Sequence, residues 1–144
     1  MSVESKKTPV WFWILAVIGL IWFAMGPFDY IATQYRFDWY LSGFTEEQLA
    51  YFYGFPAWYV ATWAISVFGS FIGAILLLMR RKLASVAFLI SLIFFVIGAV
   101  YSFGFTAALD VMGSFGAIFS VVIFASVLGY FWLARSASSS GILK

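Results

Sequence analysis

Asp29 is the carboxylate whose place in the chain invites chemistry. It follows Gly26-Pro27-Phe28 at the end of an apolar run that opens at Pro9. At about 1.5 Å of rise per residue, that count puts it at the outer edge of a hydrocarbon layer roughly 30 Å thick. Tyr30, Gln34, Trp58, Trp63, Tyr101 and Asp110 fall at a similar level, and Trp22 lies deeper. Carboxylates beside aromatic faces suit a sugar ring or an organic cation. The expectation is an outward-facing cup built from these residues. The plainer use of Asp29 is as an interfacial carboxylate that ends the first helix, after Pro27 has freed a backbone carbonyl.

Other chemistry is harder to find. The chain has no cysteine and no histidine, which removes disulfides, thiolate metal sites, Cys nucleophiles, His-ligated haem and His general bases. No nucleophile–base pair, metal cluster or phosphate loop is visible, so neither an enzyme nor a cofactor is expected. A net charge of +2 is too small to suggest nucleic-acid binding. Proton- or ion-coupled transporters place ionisable groups near the membrane midplane. Here the long apolar stretches carry none until Asp29 and Asp110, and rings of charge that would select ions are missing as well.

The elements that must position these residues follow from composition. The chain is 65% hydrophobic and only 10% charged, where soluble domains carry about 25% charged residues. A chain of 144 residues has too little interior to hide that much apolar surface from water. Lipid is therefore its solvent. Four stretches are long enough to cross a bilayer as helices: about 9–28, 56–79, 83–106 and 111–134. The fold class expected is an all-α integral membrane four-helix bundle, a single domain over 1–135. The first run is too long for a typical signal-peptide core of about 7–15 residues and is expected to be retained.

Seven of the eight basic residues, Lys6, Lys7, Arg80, Arg81, Lys82, Arg135 and Lys144, fall on one side of this layout; only Arg36 falls on the other. The positive-inside rule makes the first side cytoplasmic and places both termini there. The long connection, 29–55, is then outside. Within it Thr45-Glu46-Glu47-Gln48 has the form of a capping box and predicts a short amphipathic helix from Glu46 to Tyr53. The serine-rich segment 136–144 is expected to be a flexible cytoplasmic tail.

Small residues recur at helical spacing: Gly69 with Gly73, Gly98 with Ser102, Gly113 with Ala117, and Gly116 with Ser120. Such stripes let helices approach closely in lipid, either inside the bundle or at a homodimer face. Aromatics make up 23% of the chain. Most suit an interfacial belt, but Trp22 should sit well inside the membrane, where its indole N–H needs a partner.

The segment Phe44-Thr45-Glu46-Glu47-Gln48-Leu49-Ala50-Tyr51-Phe52-Tyr53-Gly54-Phe55-Pro56-Ala57-Trp58, with Met25-Gly26-Pro27-Phe28-Asp29-Tyr30 before it and Arg80-Arg81 after it, resembles a family of small four-helix inner-membrane proteins of Gram-negative bacteria. Genome annotation often labels its members "sugar transporter". The resemblance spans nearly the whole chain and implies an inner-membrane location; it assigns no functional residues. Two roles stay open: a non-enzymatic protein that forms a homo-oligomer or joins a larger membrane complex through its periplasmic face, and a small-solute or sugar carrier that uses the cup.

Overall fold

The computed structural model describes residues 8–106 and 108–144. Among them the chain is all-helical, with helices in the order α1 (Val10–Gln34), α2 (Asp38–Leu41), α3 (Glu46–Tyr53), α4 (Ala57–Leu78), α5 (Leu83–Phe105) and α6 (Ala108–Ser139). Four of these, α1, α4, α5 and α6, are long and apolar enough to cross a membrane.

Local chemistry sets the helix ends. Pro9 and Pro56 occupy the N-caps of α1 and α4. A proline there surrenders no needed N–H. Both helices close in a Schellman turn built on arginine, Arg36 at φ 56° and Arg80 at φ 57°. The next residue reaches back in each case: Phe37 N–H donates to the Ala32 carbonyl at 2.9 Å, and Arg81 N–H to the Leu76 carbonyl at 2.8 Å. Holding a non-glycine residue in this left-handed region costs of order 1 kcal/mol.

Three boundaries differ from the sequence expectation. Helix α1 does not stop near Phe28 but runs through Pro27 to Gln34. Pro27 removes one backbone hydrogen bond, and no further breaker follows before Arg36, so the helix resumes and carries Asp29 on its flank. Helix α6 starts at Ala108 and is interrupted at Gly113 (φ 70°, ψ −168°), a conformation that only glycine adopts readily.

The segment expected to be a flexible tail is instead folded. α6 extends to Ser139, Gly141 at φ 83° turns the chain, and Ile142 and Leu143 are buried. Lys144 N–H then donates to the Arg80 carbonyl at 2.8 Å, and Lys82 N–H donates to the Lys144 carbonyl at 3.0 Å. The serine-rich composition hid two aliphatic side chains that have an apolar surface to cover.

Helix α4 packs between α1 and α5, and α5 packs on α6. The core lies toward the end that carries the basic residues, around Phe12, Phe23, Leu77, Phe88, Val127 and Leu143. The Gly69/Gly73 stripe is spent inside the bundle. A Cβ at Gly69 would lie 3.3 Å from the Cβ of Ser91, and one at Gly73 would lie 3.1 Å from the Phe88 ring. Ser91 Oγ also donates to the Ser66 carbonyl at 2.6 Å, so α4 and α5 meet at close range with their polar groups matched.

The bundle closes between α1 and α6 through Tyr130. Its ring passes over Gly19, and its hydroxyl donates to the Leu15 carbonyl at 2.7 Å. Elsewhere α6 is thinly covered: 6% of its most apolar stretch is buried, against 28%, 33% and 22% for α1, α4 and α5. A cleft of about 410 Å³ separates α5 from α6, with Phe95, Val100 and Phe103 on one wall and Ala117, Ser120 and Val121 on the other.

Candidate functional site

The end that bears α2 and α3 holds the residues expected to form a cup. Thr45 and Gln48 nucleate α3 by exchanging the two capping-box hydrogen bonds at 3.1 Å. Helix α3 is then tied to the long helices on two sides. Tyr53 donates its hydroxyl proton to the Thr33 carbonyl at 2.7 Å, and the Arg36 guanidinium lies 3.9 Å from the Tyr53 ring centroid. Thr106 donates its hydroxyl proton to the Ser102 carbonyl. That leaves Thr106 Oγ1 to accept from Tyr51, whose own oxygen accepts from Ser102 Oγ at 3.2 Å. The three hydroxyls therefore form a hydrogen-bonded relay that ends on the Ser102 carbonyl and joins α3 to the end of α5.

Asp29 does not face open space. Its carboxylate accepts a hydrogen bond from the Tyr40 hydroxyl, supplied by α2. Burial pushes the Tyr40 hydroxyl well above its ordinary range, and the hydrogen bond and negative charge of Asp29 push it further. Tyr40 therefore remains a proton donor to Asp29 throughout the physiological range. Phe28 packs beside this pair, 5.5 Å from Tyr40 and 5.9 Å from Trp39. No ion pair involves Asp29 among the described residues.

The remaining candidates separate into two groups. Tyr30 meets Trp63 edge-on at 4.8 Å and Phe68 at 5.8 Å, on the seam of α1 with α4. Trp58 meets Tyr101 at 4.6 Å, with Tyr59 and Phe55 tilted alongside, on the seam of α4 with α5. These rings pack on one another, Trp58 at the exposed margin of its group. Trp22 packs against Phe119, at 6.4 Å. Asp110 is exposed in the first turn of α6, Gln34 is half-buried near the end of α1, and neither forms a hydrogen bond to the others among the described residues.

Of the expected cup, the structure thus brings together two ring pairs and gives Asp29 a partner from outside the set. Tyr40 and Thr106 were not singled out by the sequence. Tyr40 lies eleven positions after Asp29 and reaches it only because the chain reverses at Arg36, which has no glycine or proline to advertise the turn. The described residues contain no cluster of Asp and Glu able to hold a metal ion. Comparison with family models, curated proteins and solved structures finds no match for this chain.

Proposed function

We propose that this chain is a non-enzymatic, multi-pass membrane protein that works in an assembly, as a homo-oligomer or as an accessory subunit. In this reading it lies in a bacterial inner membrane, its basic end is cytoplasmic, and α2 and α3 face the periplasm. The observation that carries it is the bareness of α6. With 6% of its apolar stretch buried and a cleft beside it, α6 offers a helix face that a neighbouring helix would fill. In lipid such a fit is driven by packing of small residues, and Ala117 and Ser120 supply them. The expected result of native mass spectrometry in mild detergent is a defined oligomer or a co-purifying subunit. Enlarging the cleft wall with Ser120→Leu should weaken that assembly. A strictly monomeric species at near-native expression counts against the proposal.

A second reading, a small-solute or sugar carrier, rests on Asp29, a half-buried carboxylate whose one observed partner is a neutral hydroxyl. Uptake and ligand-dependent melting unchanged in both Asp29→Asn and Trp63→Ala remove it.

A further inference from the structure

A cavity of about 610 Å³ lies at the opposite end of the bundle from α2 and α3. Three separate stretches of chain build it: the α4–α5 turn, the last turn of α6, and the folded-back terminus. They bring Arg81, Lys82, Arg135 and Lys144 around one space that, among the described residues, no acidic side chain lines. The placement of Lys144 is fixed by structure. Buried Ile142 and Leu143 hold the segment, and two backbone hydrogen bonds tie Lys144 to Arg80 and Lys82. Ser138 also lines the cavity, and its hydroxyl oxygen is buried without a hydrogen-bond partner among the described residues. Such an orphan group is costly unless something outside the chain satisfies it.

We propose that this cavity seats the phosphate headgroup of an anionic phospholipid. Four cations line the space; they repel one another, and a phosphate compensates that repulsion. The wall on the α5 side is aliphatic, with Leu83 and Val86 lining the cavity while largely exposed. An exposed apolar wall beside a basic pocket fits an amphiphile with a phosphate at one end and acyl chains at the other. Free phosphate would use the cations and leave that wall idle. The inference needs the chain to lie in a membrane and is independent of whether it assembles or transports.

The test is native mass spectrometry and thermal melting of the full chain with cardiolipin, with phosphatidylcholine, and with inorganic phosphate alone. The expected result is retained cardiolipin and a raised melting temperature, with phosphatidylcholine and phosphate giving neither. Arg81→Gln with Arg135→Gln changes two exposed side chains and should reduce cardiolipin retention at least tenfold. Arg36→Gln, at the far end, should leave it intact. The proposal is overturned by any of three outcomes: the double variant retains cardiolipin like the parent, phosphatidylcholine protects equally, or phosphate alone accounts for the protection.

Discussion

The seam between α1 and α6 rests on one missing side chain. In Gly19→Ala the new Cβ would meet the Tyr130 ring at 2.5 Å from Cε1, 2.9 Å from Cζ and 3.2 Å from Cδ1. Contacts under 3.0 Å require movement, and the ring has little freedom. Phe23 lies 5.2 Å away edge-on and Phe88 6.0 Å away, while the hydroxyl is committed to the Leu15 carbonyl. Displacing the ring therefore costs an overpacking penalty of about 1–3 kcal/mol and forfeits a hydrogen bond worth about 1 kcal/mol. The gain from replacing glycine by alanine within a helix, about 1 kcal/mol in water, offsets part of this. A net loss of about 2 kcal/mol is expected, read as the midpoint of unfolding in mixed micelles with tryptophan fluorescence as the signal. Tyr130→Leu should be destabilising alone, yet in combination with Gly19→Ala it should recover part of the loss, giving a positive coupling in the double-mutant cycle. Additive single effects, or a Gly19→Ala variant as stable as the parent, would refute the packing argument. The result bears on function because a pathway through the bundle between these helices would have to open this seam.

Two further substitutions probe the ends of the molecule. Tyr40→Phe removes the donor to Asp29 and should cost about 1 kcal/mol, discounted for partial exposure; hydrogen exchange at the amides of α2 should quicken, and an unchanged exchange profile would show that α2 is held by its aromatic contacts alone. Leu143→Ala empties a site that is 1% exposed and should cost about 2 kcal/mol, seen as faster exchange at the Lys82 and Lys144 amides with the opposite end of the bundle undisturbed.

The four long helices were legible because an uncharged apolar run of membrane-crossing length favours a helix throughout, and Leu83–Phe105 contains no Asp, Glu, Lys or Arg. The capping residues Thr45 and Gln48 were legible for a similar reason: the interaction lies within one turn. What the sequence hid depends on partners far apart in the chain. Arg36 and Arg80 adopt left-handed backbones that their residue type disfavours, and each sets the course of the chain beyond it. Arg36 turns α2 back so that Tyr40 reaches Asp29, which converts a free carboxylate into a tethered one. Arg80 turns the α4–α5 link so that its carbonyl receives the Lys144 amide, which converts a serine-rich tail into a wall of a cavity.

The same distinction explains why the aromatic residues misled. Each ring was placed at a plausible depth by counting along its helix, but depth alone does not say which neighbour a ring faces. Tyr30 and Trp63 look across the α1–α4 seam, whereas Trp58 and Tyr101 look across the α4–α5 seam, because α4 stands between its two partners and turns a different face to each. Aromatic pairs on opposite flanks of one helix consolidate two seams. Among the described residues, the flank of α6 is the least covered of the long helices, and the basic cavity lies at the end of the bundle opposite α2 and α3. Both would be satisfied by components of a membrane or of an assembly.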